Sequence, residues 1–290
     1  MLSIGKLATR QAEYYLEQAQ EPVTRAKAVS SGVEDYYLAG PEAAGRWLGA
    51  GAAALGLRGT VEAEELERVL SGEHPGSGEA LGRVLSARVP GFDLTFSAPK
   101  SVSVLFGVGD DDLRAVLRDA HDRAVIDALC YMQREAAVTR RGPAGVHAIA
   151  GNGLVAAAFR HRTSRAGDPQ LHTHVLMANL TLGADGQWST LDGRRIYAHA
   201  KTAGYLYEAR LRSLLTRELG VEWTLVRNGI ADIVGVSPTV LRAFSCRRAD
   251  IEAELERRGT AEHRRMDGRA GRADPSTLDV HAPPGDPGRV

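Results

Sequence analysis

Phe159-Arg160-His161-Arg162-Thr163-Ser164-Arg165-Ala166-Gly167-Asp168-Pro169-Gln170-Leu171-His172-Thr173-His174 holds three of the chain's nine histidines within fourteen residues. Side chains two apart on a strand share a face. His172 and His174 therefore project together if this segment is extended, and Leu171, Thr173 and Val175 fill the other face. Leu154 to Phe159 is an apolar run of strand length, Leu176 to Leu182 is another, and Gly167-Asp168-Pro169 between them is a turn. Two antiparallel strands joined there bring His161 opposite the His172/His174 pair. Three neutral imidazoles on one face can hold a divalent metal and leave room for a substrate. The competing reading of the His-x-His pair alone is two half-buried strand histidines with backbone partners.

Composition narrows the class. The chain has 290 residues, 43% hydrophobic and 25% charged, as ordinary soluble domains do, and fits one large domain or two small ones. Its 36 basic residues balance 36 acidic ones, which excludes a globally basic nucleic-acid binder. The charge is uneven: residues 61 to 79 hold six glutamates against one arginine, and residues 192 to 217 hold six Lys/Arg against two acids. A local basic face therefore stays open. Cys130 and Cys246 are far apart in helix-like segments and imply no disulfide framework, so a reducing bacterial cytoplasm is the expected compartment. Met1 to Lys6 lacks the apolar core of a signal peptide, and no run is long enough to span a bilayer, so no membrane insertion is expected.

The remaining segments alternate between strand and helix patterns. Leu2 to Ile4 fits an edge strand, and Thr9 can cap a helix over 10 to 19 that carries Tyr14 and Tyr15. Tyr36 and Tyr37 follow. Pro41 and Gly56 bracket a predicted helix with Trp47, Leu48 and Leu55, and Thr60 and Gly72 bracket an acidic one. Phe92 to Phe96 alternates as a strand with Asp93 and Thr95 on its polar side, and Ser97 can cap a short helix starting near Pro99. Asp111 to Glu135 is the longest helical pattern, with His121 packed beside its apolar stripe. Ala184-Asp185-Gly186 is a hairpin turn, 198 to 219 a helix stopped by Gly220, Glu222 to Val226 a strand, and Ser237-Pro238 the start of a helix to about Arg257. Residues 260–290, rich in Pro, Gly, Arg and Asp, are predicted to be a disordered tail. This pattern is α+β, a central sheet flanked by helices.

Jointly, four elements resemble the TrwC/TraI-type conjugative relaxases, the MobF branch of the histidine-hydrophobe-histidine endonucleases. They are Tyr14-Tyr15 followed by Asp35-Tyr36-Tyr37, the run Phe92-Asp93-Leu94-Thr95-Phe96-Ser97-Ala98-Pro99-Lys100-Ser101-Val102-Ser103, the single His161, and His172-Thr173-His174. Phe244-Ser245-Cys246-Arg247-Arg248 with the acidic helix after it is also similar, and the resemblance covers residues 1–259. Thr173 departs from a large hydrophobe at the middle of the pair. Family members usually continue into a helicase, and no G-x-x-x-x-G-K-[ST] loop occurs here.

The resemblance implies a five-stranded antiparallel sheet with helices, related to the palm-like fold of rolling-circle initiators. It implies metal-dependent, tyrosine-mediated nicking and religation of single-stranded DNA at a transfer origin with an adjacent hairpin, through a 5′-phosphotyrosine. Tyr14 would be the first nucleophile and Tyr36 the second, with Tyr15 and Tyr37 beside them in support. His161, His172 and His174 would hold the metal: magnesium or manganese by the family's chemistry, zinc or nickel by the softness of imidazole. Asp93 would either orient a histidine or accept the phenolic proton. Arg160, Arg162, Arg165, Arg194, Arg195 and Lys201 are candidates for phosphate contacts. Implied partners are the origin DNA, accessory relaxosome proteins and a secretion coupling protein. Two other readings compete. A rolling-circle replication initiator usually places its tyrosine after the histidines, the reverse of the order here. A non-catalytic metal-holding DNA-binding module would make Asp93 and the tyrosines incidental.

Overall fold

Period-two alternation in three segments builds the middle of one sheet, and everything else is arranged on its two faces. The computed structural model describes residues 1–7, 44–82, 89–164 and 167–245. The paired tyrosines Tyr14, Tyr15, Tyr36 and Tyr37, together with Arg165, Cys246 and the predicted tail, lie outside the described residues. In chain order the strands are β1 (Leu2–Lys6), β2 (Arg46–Leu48), β3 (Gly91–Ser97), β4 (Val138–Arg141), β5 (His147–Ala150), β6 (Ala156–Thr163), β7 (Pro169–Ala178), β8 (Thr181–Leu182) and β9 (Trp188–Ser189). The helices are α1 (Ala50–Ala54), α2 (Ala63–Ser71), α3 (Lys100–Val108), α4 (Asp111–Ala136), α5 (Gly193–Leu219) and α6 (Pro238–Ala243).

The main sheet has five strands in the order β1-β3-β7-β6-β2, every neighbouring pair antiparallel, so the α+β architecture expected from the sequence is the one observed. β1 is an edge strand, as its short apolar run suggests. On one face Phe92, Leu94 and Phe96 of β3 and Leu171, Val175 and Met177 of β7 join the inward stripes of α4 and α5 in a core that includes Leu117, Ala124, Leu129, Ala203, Tyr207 and Leu211. The alternate residues Val155, Ala157, Phe159 and Leu176 form a second core on the other face with Trp47, Leu66, Val69 and Leu70. Burying apolar area on both sides at about 25 cal/mol per Å² is what holds the three central strands in place.

Helix ends follow local chemistry. Asp110 caps α4 by accepting from Leu113 N at 2.9 Å, and Asp192 caps α5 by accepting from Arg194 N at 3.2 Å. Gly72 and Gly220 end α2 and α5 in the left-handed conformation.

Several expectations are corrected. Trp47 and Leu48 sit in strand β2 rather than in a helix, because Trp47 pairs with Ala157 and buries its ring against the sheet. Helix α1 begins only after Gly49, whose φ of 95° breaks any continuous helix through this segment. Glu62, not Thr60, stands at the N-cap of α2, and Thr60 instead bridges Arg46. Ser97 closes β3, leaving Pro99 at the cap of α3. α5 starts at Gly193, five residues before the predicted start, because Asp192 supplies the cap there. Glu222 to Val226 contributes only an isolated bridge, Trp223 to Ile233, where a full strand was predicted. Helix α6 is described to Ala243, and the rest of the helix predicted to about Arg257 lies largely outside the described residues. No helix of the described residues is long and apolar enough to cross a membrane.

Candidate metal centre

The β6–β7 hairpin sets the site. His161 lies directly opposite His172, and Phe159 opposite His174, so His161 shares a face with both histidines of β7. The register shifts between His161 and Thr163, a bulge beside the turn that joins the two strands. The three imidazole centroids are each 5.1 Å from the other two. One ligand nitrogen from each lies within 4.8 Å of the others. Tetrahedral bonds of about 2.05 Å would place such nitrogens roughly 3.4 Å apart, so modest ring rotations close the set.

Hydrogen bonds assign the ligand atoms. His174 Nδ1 donates to Asp93 Oδ1 and Oδ2 at 3.0 and 2.9 Å, and His172 Nδ1 donates to the Gln170 carbonyl at 2.8 Å. With the proton held on Nδ1, the lone pair of each neutral ring sits on Nε2. The Thr95 hydroxyl donates to Asp93 Oδ1 at 3.2 Å and lies 3.1 Å from His174 Nδ1, as their direct pairing across β3 and β7 requires. Burial, then the neighbouring His172 and His174, pushes the His161 imidazole down to about 3, so that ring is neutral and ready to coordinate at physiological pH. Three imidazole donors, two oriented through their second nitrogen, are the chemistry a divalent cation needs.

The serine-rich run after β3 fixes the start of β7. Ala98 N donates to Leu171 O at 3.0 Å, Leu171 N donates to the buried Ser103 Oγ at 3.1 Å, and Lys100 Nζ donates to Pro169 O at 3.0 Å. Ser101 reaches elsewhere: its N donates to Asp232 Oδ1 and its Oγ accepts from Ile233 N. This run therefore clamps the strand that carries His172 and His174.

The sequence-derived candidates divide. Asp93 and the three histidines are brought together. Arg160 belongs to the opposite face of β6, where Asp122 of α4 engages it in an ion pair. Arg162 follows on the same alternation. Arg194, Arg195 and Lys201 stand on α5, the helix packed against that opposite face; Arg195 donates to the Glu135 carbonyl, and Lys201 lies over the Tyr205 ring at 5.7 Å. Thr95 and the Gln170 carbonyl were missed as orienting groups. Thr95 was legible as polar, but only the cross-strand register brings it to His174.

The chain is similar to known proteins in sequence and fold. A family model described as TrwC relaxase matches residues 8–281. The Escherichia coli protein named multifunctional conjugation protein TraI is 36% identical over 231 residues, covering 75% of this chain but only 13% of its own length. This chain thus spans about an eighth of that relative. A metal-bound structure of conjugative relaxase TrwC in complex with oriT DNA superposes with a TM-score of 0.72 at 31% identity, covering 97% of this chain and 87% of the other. TrwC complexed with a 27-mer DNA comprising the recognition hairpin and the cleavage site gives 0.71 at 29% identity, covering 96% and 93%.

Proposed function

Because this chain belongs to the TrwC relaxase family, we propose that residues 1–259 form a metal-dependent domain that nicks and rejoins single-stranded DNA at a transfer origin. The observation that carries this reading is the convergence of His161, His172 and His174, with Asp93 bonded to the back of His174. The Tyr14 phenol attacks the scissile phosphorus. The bond from phosphorus to the 3′ oxygen breaks as the phenol gives up its proton to solvent, leaving a 5′-phosphotyrosine and a 3′ oxygen that takes up a proton to become the free 3′-hydroxyl. His161, His172 and His174 would hold a divalent ion, magnesium or manganese by the family's chemistry, which would supply positive charge to offset that of the phosphate oxygens. A phenol has an ordinary pKa near 10 and attacks well only when deprotonated and aimed. Asp93 acts as orienter, a role supported by its two contacts to His174 Nδ1. Reversal of the step rejoins the strand with no nucleotide, since the phosphodiester energy is conserved in the tyrosyl ester. Tyr36 performs a second transfer that ends a round of conjugation, with Tyr15 and Tyr37 supporting the two nucleophiles.

Origin DNA with its hairpin is the proposed partner, since relatives are bound to such DNA. Accessory relaxosome proteins and a secretion coupling protein complete the assembly in the bacterial cytoplasm. Arg165, next to the turn of the histidine hairpin in sequence, leads the phosphate contacts, with Arg162, Arg194, Arg195 and Lys201 supplying longer-range attraction. Arg160 is held by Asp122 and contributes least. The test is cleavage of single-stranded origin oligonucleotides by wild type and Tyr14→Phe. A covalent protein–DNA adduct present in wild type and lost in Tyr14→Phe is expected. Equal adduct in both removes Tyr14 as the nucleophile.

A further inference from the structure

The residue between the two strand histidines is anchored from behind. Thr173 is 4% exposed and points away from His172 and His174 into the layer between the sheet and α4. There its Oγ1 lies 2.8 Å from Nε2 of His121, and Nδ1 of the same ring lies 2.8 Å from the Tyr207 hydroxyl. Tyr207 belongs to α5 and packs its ring 5.4 Å from Phe96, the residue paired with Thr173 across β3. A continuous polar chain therefore runs from α5 through α4 to the middle of β7, and both ring nitrogens of His121 are used.

From these contacts we infer that His121 is a positioning residue for the metal centre, tethering Thr173 so that β7 presents His172 and His174 at a fixed height and twist. This rests on the three-histidine metal reading given above. Apolar side chains pack around the chain with the Arg160–Asp122 ion pair close by, and burial, then the Arg160 charge, drives the His121 imidazole down to about 3, so it stays neutral and acts through hydrogen bonds. Apolar side chains would fill that layer equally well. What hydrogen bonds add is direction, since packed methyls tolerate sliding and an O···N contact at 2.8 Å does not. Packing is also incomplete on this side: a cavity of about 270 Å³, lined by Leu48, Asp122, Ile126, Ala158 and Arg160, reaches Thr173 itself. The tether thus adds a directional contact to the β3 and β6 ladders and the apolar neighbours that already hold the strand. Ligand nitrogens need placement within about 0.5 Å to bind well, so loosening β7 costs metal affinity before it costs the fold.

Two variants of the full chain separate positioning from mere stability. Thr173→Val is isosteric and removes only the hydroxyl. The triple variant H121L/T173V/Y207F replaces the whole polar chain by apolar groups and leaves no buried group unsatisfied, so its thermal midpoint returns toward wild type. Manganese affinity is measured by calorimetric titration, ligand geometry by the visible bands of bound cobalt, and folding by circular dichroism. Thr173→Val is expected to bind manganese about tenfold more weakly with altered cobalt bands while still melting cooperatively. The triple variant is expected to recover its midpoint but not its affinity. Wild-type affinity in folded Thr173→Val overturns the inference, as does a triple variant that regains affinity and stability together. If the triple variant does not fold, Thr173→Val decides alone. Wild type that binds neither ion brings down the metal centre and the tether together, whereas wild-type binding unaffected by Thr173→Val refutes only the tether.

Discussion

Replacing Asp93 by asparagine should weaken metal binding about tenfold without unfolding the protein. Asp93 sits on β3 opposite Leu176, and both of its oxygens lie within 3.0 Å of His174 Nδ1. A hydrogen bond to a charged acceptor contributes about 1.5–3 kcal/mol, and a neutral one about 1 kcal/mol. The amide that replaces the carboxylate would keep an oxygen able to accept from Nδ1 but would lose the charge. The difference of about 1.4 kcal/mol corresponds to a factor of ten in the dissociation constant. Asp93→Ala should cost more, roughly a hundredfold, since the Thr95 hydroxyl at 3.1 Å is a weaker, neutral acceptor for the proton on Nδ1. Calorimetric titration with manganese at neutral pH and near-physiological salt reads both losses, with circular dichroism as the check on folding. Manganese binding unchanged in Asp93→Asn refutes the argument. If affinity is unchanged while adduct formation slows, Asp93 serves the phenol's proton instead of the histidine.

Two further outcomes concern stability. His121 has a folded-state pKa of about 3 against an ordinary 6.5, so below pH 6.5 the unfolded chain binds a proton that the folded one refuses. Stability is therefore complete above that value and lost as the pH falls, at up to about 1.4 kcal/mol per pH unit; urea melts at pH 7, 6 and 5 should show a slope smaller by that amount in His121→Gln, and equal slopes would rule it out. Gly49→Ala forces a side chain into φ 95° and puts its Cβ 2.2 Å from the Leu154 carbonyl oxygen, so a loss of roughly 3 kcal/mol in the same melts is expected. An unchanged midpoint would contradict the backbone path joining β2 to α1.

Much of the site could be read from one dimension because its chemistry is short-range. His172 and His174 share a face by the period of a strand, and the Gly167-Asp168-Pro169 turn brings back His161; the observed register of His161 opposite His172 follows that reading. The long helix α4 and the strand at Phe92 to Phe96 were equally plain from their periods. Trp47 and Leu48 were misread because a short apolar stretch fits either period, and only docking on β6 selects the strand. Asp93 was legible as polar but ambiguous in role, because its partner lies 81 residues away.

Local periodicity is enough to say which side chains can face one way: three imidazoles on a hairpin and a carboxylate on a neighbouring alternating strand. Who touches whom across strands and layers is a property of the assembled fold: the order β1-β3-β7-β6-β2, Asp93 and Thr95 against His174, and His121 against Thr173. The reason is physical. Alternation is a property of successive residues, whereas register and strand order are settled when two apolar faces bury themselves at once, and no single segment encodes that balance.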